Sequence, residues 1–291
     1  MKKLISLFLS VSVLLLAACS KQPDTASSEQ KNDAAGLQTV VIASTGSDAD
    51  IWRHIASLPE TKAAGIKLEV KNFTDYVAMN TAVANKEVDL NAFQSYAYLV
   101  AFNAANKDKI APVSTTYLEP MGIYSNKVKK VEEFAQGATI AIPNDGANES
   151  RALLLLQSAG LIKLKPDFDP VKGTPADIIE NSKKIVIKPI QMATAVRVKD
   201  EVDAILLGNT LAMEGGLNVL KDAIFYEPID QSTKLNINIL ATAESRKDDP
   251  VLQKVGALYH TEAVKKYVQE HFAGTKVDVN KPTSYLTEAK S

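Results

Sequence analysis

The sequence predicts an α/β fold in two lobes with a ligand cleft between them, and three observations support this prediction. Short apolar or β-branched runs recur along the chain, and most are followed by about ten residues with helical spacing. The middle of the chain forms one set of such pairs, and the two flanks form another. Two segments suited to crossing between the sets, 119–122 and 236–242, lie where the sets meet. Ligands of parallel sheets bind at the carboxyl ends of the strands, so the cleft is the expected site.

The elements of the first set begin with a β-branched strand at 39–43, which ends at a turn where a helix can start. Further short strands are predicted at 66–70 and 90–93. Helical spacing follows them at 79–86 and 96–106. Because strands alternate with helices, we expect the sheets to be largely parallel.

The second set begins with a strand at 138–142 and a helix at 150–159, which Gly160 ends. Strands at 184–187 and 203–207 follow, each with helical spacing after it. The last helix, at 260–272, keeps one side mostly apolar, so we expect it to pack on the first lobe.

These pairs predict the domain boundaries. The first lobe comprises 38–120 and 234–291, and the second comprises 121–233. Residues 20–37 are polar and lack aromatic residues, and such a composition cannot bury enough surface to order the chain. Residues 19–37 are therefore predicted to be a flexible tether.

The N-terminus is typical of a bacterial lipoprotein. Lys2 and Lys3 precede an apolar stretch that is too short to span a membrane, and Leu-Ala-Ala-Cys closes it at Cys19. Residues 1–18 are thus predicted to be a signal peptide, and the amine and thiol of Cys19 to carry fatty chains such as palmitate. The alternative is a secreted protein with a chance cysteine. We expect a lipid-anchored protein of the bacterial cell envelope, on the periplasmic face or the cell surface, and Ser20 favours the outer membrane.

Composition excludes several classes of function. The formal net charge is −1, so no basic excess indicates nucleic acid. An acylated Cys19 leaves no thiol for disulfides or metals, and the three histidines lack the spacing of a metal site. The sequence contains no phosphate loop, nucleophile elbow or paired acid and base. We therefore expect no metal, no cofactor and no enzymatic activity.

A turn and helix start at 143–151 suggest anion binding. The strand ending at Ile142 leads into a helix N-terminus, whose free N–H groups attract anions. Arg151, which we place in the first turn, adds a guanidinium that can bind a carboxylate with two hydrogen bonds. The alternative is that Arg151 simply pairs with Glu149 or Asp145.

A second cluster is aromatic and lies at or just after the ends of two predicted strands. Such side chains can line an apolar pocket with hydroxyl groups at its rim, although ordinary core packing is the alternative. The cluster consists of Phe73, Tyr76, Phe93, Tyr96 and Tyr98.

Motifs around both clusters resemble the methionine-binding lipoproteins of the NlpA (MetQ-like) family. The similar stretches are Phe-Thr-Asp-Tyr at 73–76, Asp-Leu-Asn-Ala-Phe-Gln at 89–94, and Ile-Pro-Asn-Asp at 142–145 with the helix that follows. The resemblance covers about 39–280. It implies a type II periplasmic-binding-protein-like fold that closes over an amino acid. It also implies a monomeric substrate-binding component that works with an ABC permease and its ATPase.

The resemblance also implies site residues. Three aromatic positions match the family's side-chain pocket, two positions match its carboxylate clamp, and one matches a contact to the amino-acid head group. They are Tyr76, Phe93 and Tyr98; Asn148 and Arg151; and Asn238.

Two positions depart from the family pattern. Ser95 stands where methionine binders usually have His, and Gly208 stands where they usually have Asn. Asn209 follows directly and is a candidate replacement, although adjacent residues of an extended chain point in opposite directions. We expect a lipoprotein that binds methionine or a related small amino acid for import. The alternatives are a receptor for a different ligand, such as a short peptide, and a surface lipoprotein acting as an adhesin or assembly factor with a changed pocket.

Overall fold

The structure, a computed structural model, describes residues 36–229 and 234–288. The predicted signal peptide, the acylation site Cys19, Ser20 and nearly all of the predicted tether lie outside the described residues. Within the described part of the chain, no helix is both long and apolar enough to cross a membrane.

Strands and helices alternate through the described residues. The strands are β1 (Gln38–Ser44), β2 (Ile66–Asn72), β3 (Leu90–Ser95), β4 (Ile110–Thr115), β5 (Tyr117–Leu118), β6 (Met121–Tyr124), β7 (Thr139–Pro143), β8 (Lys163–Leu164), β9 (Ile178–Glu180), β10 (Val186–Ile190), β11 (Ala204–Gly208), β12 (Phe225–Tyr226), β13 (Asn238–Ala243) and β14 (Val277–Asp278). The α-helices are α1 (Gly46–Ser57), α2 (Pro59–Ala63), α3 (Tyr76–Ala84), α4 (Tyr96–Ala105), α5 (Gly146–Ser158), α6 (Asn209–Glu214), α7 (Val219–Asp222), α8 (Pro250–Tyr259) and α9 (Glu262–Phe272).

Two five-stranded sheets form the two lobes, in the orders β2-β1-β3-β13-β4 and β10-β7-β11-β6-β12. In the first sheet β1 runs parallel to β2 and β3, whereas β13 runs antiparallel to β3 and β4. In the second sheet β7 runs parallel to β10 and β11, whereas β6 runs antiparallel to β11 and β12.

One reversed strand in each sheet departs from the expectation of largely parallel sheets. Each reversed strand is the first that the chain forms in that sheet after leaving the other: β6 on entering the second sheet, and β13 on returning to the first. The chain passes from β5 to β6 through Glu119 and Pro120. It returns between β12 and β13, a stretch that includes residues 230–233 outside the described chain. The domain boundaries at 120, 121, 233 and 234 stay a prediction.

Helix α9 packs on the first lobe, as its apolar side predicts. Val264, Val268 and Phe272 are buried in one core with Trp52 and Ile55 of α1. Packing of this kind closes the outer layer of the first sheet and places residues 273–278, which follow α9, against the lobe.

Helix α5 begins at Gly146, four residues before the predicted start. The reason is its N-cap: the Asp145 side chain accepts a hydrogen bond from the Asn148 backbone N–H, which satisfies an otherwise unpaired donor of the first turn. Arg151 consequently lies in the second turn rather than the first. The buried face of α5, which includes Leu153 and Leu156, packs on the core of the second lobe.

Candidate functional site

A small, partly open cavity lies between the two lobes. Side chains from both lobes line it. They are Asp48, Tyr76, Phe93, Gln94, Ser95, Tyr98, Glu119, Asn148, Arg151, Met192, Gly208, Thr210, Leu211 and Asn238.

Three aromatic rings form one wall of the cavity. The ring centroid of Phe93 lies 5.1 Å from that of Tyr76 and 5.7 Å from that of Tyr98, and Tyr76 meets Tyr98 edge-on at 6.2 Å. Such tilted and edge-to-face pairs are favourable beyond their buried area. Burial raises the pKa of both tyrosine hydroxyls, so they stay neutral. The wall is therefore an uncharged surface suited to an apolar side chain.

The other two aromatic residues of the predicted cluster do not line the cavity. Phe73 and Tyr96 pack against the hydrophobic core behind it. The predicted cluster thus divides into a cavity wall of three residues and a core contact of two.

A buried amide network supports the aromatic wall. The Gln94 Nε2 donates to Asn80 Oδ1 at 2.7 Å and to Asn91 Oδ1 at 2.8 Å, while Asn80 Nδ2 donates back to Gln94 Oε1 at 3.0 Å. All three side chains are fully buried, so these bonds meet donors and acceptors that would otherwise be unpaired. The network holds α3, which carries Tyr76, against β3, which carries Phe93. Sequence reasoning missed the role of these amides, whose only signal was polar residues inside an otherwise apolar strand and helix.

Arg151 pairs with Glu227, which the sequence analysis did not consider. Its Nε donates to Glu227 Oε1 at 2.9 Å, and its Nη2 donates to Glu227 Oε2 at 2.5 Å and to the Glu119 carbonyl at 2.8 Å. The alternative pairing with Glu149 or Asp145 is wrong, because the Asp145 carboxylate caps the helix at Asn148 and Glu149 lies only two positions from Arg151, where helical side chains do not face each other. Within residues 36–229 and 234–288, Nη1 is the guanidinium nitrogen left without a partner.

The N-terminus of α5 is less open than the sequence suggested. Asp145 Oδ1 accepts hydrogen bonds from the backbone N of Asn148 at 3.1 Å and from its side-chain Nδ2 at 2.9 Å. Burial raises the pKa of the Asp145 carboxyl, which these bonds partly offset. The expectation of an anion site built on free N–H groups is therefore wrong, because the Asp145 carboxylate occupies this end of the helix. The groups that line the cavity here are the side chains of Asn148 and Arg151.

Ser95 and Asn238 face each other across two strands of the first sheet. They are register partners in the pairing of β3 with β13, and both line the cavity. Ser95 Oγ also caps helix α4 by accepting a hydrogen bond from the Tyr98 backbone N–H at 3.3 Å. Ser95 therefore has a local structural role as well as a place in the cavity.

Gly208 lines the cavity and Asn209 does not. A Cβ on Gly208 would meet only Met192 Cε, at 4.0 Å, so this side of the cavity has room. The Asn209 side chain is fully buried and points away, with Nδ2 donating to Thr275 Oγ1 at 3.0 Å and to Glu119 Oε2 at 3.1 Å. The structure thus places Asn209 behind the cavity wall rather than in the position of a ligand contact.

A buried charge cluster at the cavity was missed by sequence reasoning. Lys276 Nζ donates to Asp48 Oδ1 at 2.8 Å, to Glu119 Oε2 at 2.6 Å and to Thr210 Oγ1 at 2.8 Å. These residues come from four distant parts of the sequence, so no local pattern relates them. Among the described residues, this cluster included, no group of His, Cys, Asp and Glu side chains could hold a metal ion.

Comparisons with known proteins agree with this geometry. The model of the NlpA lipoprotein family matches residues 40–280. The chain is 34% identical over 272 residues to the probable D-methionine-binding lipoprotein MetQ of Pasteurella multocida, covering 94% of this chain and 96% of that one.

Solved structures are similar over the same region. A nutrient-binding protein from Burkholderia cenocepacia bound to methionine has a TM-score of 0.76 and 34% identity, covering 82% of this chain and 99% of that one. The substrate-binding protein of a methionine transporter from Streptococcus pneumoniae has a TM-score of 0.75 and 39% identity, covering 83% of this chain and 95% of that one.

The matches establish a two-lobe periplasmic-binding fold and a membrane-anchored lipoprotein of the cell envelope. The family and these relatives are substrate-binding proteins and not enzymes. The chain belongs to the NlpA lipoprotein family.

Proposed function

We propose that this protein is the substrate-binding lipoprotein of an ABC importer, which traps methionine or a related small amino acid between its lobes and delivers it to a permease. One observation carries the proposal: the aromatic wall and the Arg151 guanidinium line the same cavity. An uncharged aromatic surface suits an apolar side chain, and the free Nη1 of Arg151 with the Asn148 side chain suits a carboxylate.

The Glu227 pair supports a clamp role for Arg151. By holding Nε and Nη2, Glu227 fixes the plane of the guanidinium and directs the remaining donor. A pre-oriented donor loses little conformational freedom on binding. In this proposal Glu227 positions Arg151, and Asn238 contacts the head group of the ligand from the opposite lobe.

A short peptide with a free carboxylate is the second candidate ligand. It is favoured by the room beside Gly208, where a Cβ would meet only Met192 Cε, and by the small side chain of Ser95. Two smaller residues leave space that a longer ligand can fill.

Isothermal titration against a panel tests the proposal. The panel contains L- and D-methionine, other apolar amino acids, and dipeptides that contain methionine. We expect saturable binding by the wild type, and a loss of at least about tenfold in affinity when the Arg151 guanidinium is replaced. The variant combines Arg151→Gln with Glu227→Gln, so that neither member of the pair is left as an unpaired buried charge. The control is Arg197→Gln, at an exposed position of the second lobe.

The outcome that would contradict the proposal is a folded wild type that binds nothing in the panel. That result would favour the adhesin or assembly-factor alternative. Delivery to a permease is tested separately, by uptake of the bound ligand in cells with and without the protein.

A further inference from the structure

The buried cluster around Lys276 contains more negative charge than positive. The Nζ of Lys276 is fully buried and lies 2.8 Å from Asp48 Oδ1 and 2.6 Å from Glu119 Oε2. One ammonium therefore faces two carboxylates. The nearby Arg151 does not correct the balance, because Glu227 neutralises it.

Lys276 has no further hydrogen bond to offer. An ammonium carries three donors, and those of Lys276 go to Asp48, Glu119 and Thr210. Its Nζ also lies 4.0 Å from the centroid of the Tyr117 ring, whose hydroxyl donates to Asp48 Oδ1 at 2.7 Å. Lys276 therefore lies behind the two carboxylates and is not one of the residues that line the cavity.

Asp48 presents an unused acceptor at the cavity. The hydrogen bonds to its carboxylate from Lys276 and Tyr117 both end on Oδ1, and Oδ2 has no partner among the residues that the structure describes. Asp48 is 2% exposed and Glu119 is 7% exposed, yet both line the cavity. Oδ2 is not one of the fully buried polar atoms that lack a partner in the described residues, so it is open to the cavity, where a cation or a hydrogen-bond donor of a ligand can meet it.

We propose that Asp48, supported by Glu119, binds the ammonium group of the ligand and so selects amino acids and peptides whose amine is free. This assignment rests on the proposed function. It adds recognition of the ligand's ammonium group to recognition of its carboxylate. Arg151 and Asn148 then hold the carboxylate at one end of the cavity while the acidic pair holds the ammonium.

The environment of the two carboxyls agrees with this assignment. Burial raises the pKa of Asp48, and the neighbouring Glu119 raises it further, although Lys276 opposes both effects. For Glu119, burial raises the pKa, but the charge and hydrogen bond of Lys276, the hydrogen bond from Asn209 and the charge of Arg151 together lower it. One ammonium thus serves two buried carboxyls, and a further cation at Asp48 would relieve the repulsion between them.

Titration with two probes tests the assignment. L-methionine and 4-methylsulfanylbutanoate differ only in that the second has hydrogen in place of the ammonium group. For the wild type we expect methionine to bind at least about 100-fold more tightly. For Asp48→Asn we expect this ratio to fall below about fivefold, because the amide keeps the shape but removes the charge.

Two further variants make the test specific. Asp50→Asn changes an exposed carboxylate two residues away on the same helix and should keep the wild-type ratio. If Asp48→Asn does not fold, Glu119→Gln provides a second measurement of the ratio of the two affinities. Circular dichroism checks that each variant is folded.

Two results would overturn the assignment alone: equal binding of both probes by the wild type, or an Asp48→Asn variant that weakens both probes equally and keeps their ratio. The second result would mean that Asp48 is structural. If neither probe nor any other member of the ligand panel binds the folded wild type, the proposed function fails and the assignment fails with it.

Discussion

The carboxylate of Glu214 in α6 lies directly against Gly46 in α1, so that a Cβ on Gly46 would fall 1.5 Å from Glu214 Oε1. Gly46 also has a φ of +47°, in the left-handed region that favours glycine. Helix α1 belongs to the lobe of the first sheet, and α6 follows β11 of the second. The contact therefore joins the two lobes beside the cavity.

Replacing Gly46 by alanine should destabilise the protein more than replacing Gly65. Both glycines have positive φ, so each substitution costs about 1–2 kcal/mol in backbone strain. Gly65 has no neighbour within 4 Å, whereas a Cβ on Gly46 would push aside the Glu214 carboxylate, the end of an exposed flexible side chain, which adds about 0.5 kcal/mol. Denaturant unfolding of the two variants measures the difference. Adding Glu214→Ala to the Gly46→Ala variant should remove this difference in unfolding free energy. Equal stability of Gly46→Ala and Gly65→Ala would argue against the contact between Gly46 and Glu214.

The single variant Arg151→Gln should lower the free energy of unfolding by about 3 kcal/mol, because it leaves the Glu227 carboxylate without its partner. The side chains of this pair are only 10% and 15% exposed, so solvent screens the interaction little. The double variant with Glu227→Gln should recover most of the loss. Thermal or urea unfolding of the wild type, the two single variants Arg151→Gln and Glu227→Gln, and the double variant forms the cycle. A double variant as unstable as Arg151→Gln would contradict the pairing.

Gly208→Asn should be tolerated and should strengthen the binding of methionine. The cavity has room for the side chain, and one new hydrogen bond to the ligand contributes about 1 kcal/mol, or roughly fivefold in affinity. The same change should weaken the binding of dipeptides, because it fills the space beside them. Titration with methionine and with a methionine dipeptide checks both directions, and parallel changes in the two affinities would contradict the steric argument.

Ser95→His should combine a gain in affinity for methionine with a loss of stability. The imidazole offers a larger donor, but the variant loses the cap of α4, which costs about 1 kcal/mol. Ser95→Ala is the control, since it loses the cap without adding a ring. The expected pattern is a similar loss of stability in both variants and tighter binding only in Ser95→His, as measured by unfolding and titration.

The free energy of unfolding should decrease at low pH, partly because the Asp203 carboxylate becomes protonated. The hydrogen bond from the Thr139 backbone N–H, 2.7 Å long, lowers the pKa of this carboxyl, and Lys127 lowers it further. Because the folded pKa lies below the unfolded one, the contribution is present above about pH 4 and is lost as the pH falls through the folded pKa. Asp203→Asn should flatten the decline of unfolding free energy between about pH 5 and pH 2. The exposed Asp108→Asn is the control, and identical pH profiles for Asp203→Asn and wild type would contradict the linkage.

Local patterns predicted much of this fold. The strands at β1, β2, β3 and β7 and the terminal helix α9 were recognisable because their apolar spacing is continuous within a few residues. The start of α5 was misplaced because its cap, Asp145, lies in a Pro/Gly turn that hides the first helical residues. The reversed strands β6 and β13 were not foreseen, since strand direction depends on which sheet the chain has just left and not on local sequence.

The candidate site was also predicted only in part. Tyr76, Phe93 and Tyr98 lie near strand ends in the sequence, so an aromatic wall could be inferred. The partners of Lys276 lie 66 to 228 positions away from it, and those of Arg151 lie 32 and 76 positions away. Such pairs join segments that meet only in the folded protein, and a single sequence contains no periodicity that relates them.

The central claim is that one cavity holds the two charged ends and the side chain of an amino acid at once. A crystal structure of the protein grown with L-methionine tests it most directly. We expect the ligand carboxylate within hydrogen-bond distance of Arg151 Nη1, the ammonium at Asp48 and the thioether against Tyr98. A ligand bound elsewhere, or one lying in the cavity with its carboxylate turned away from Arg151, would contradict the account.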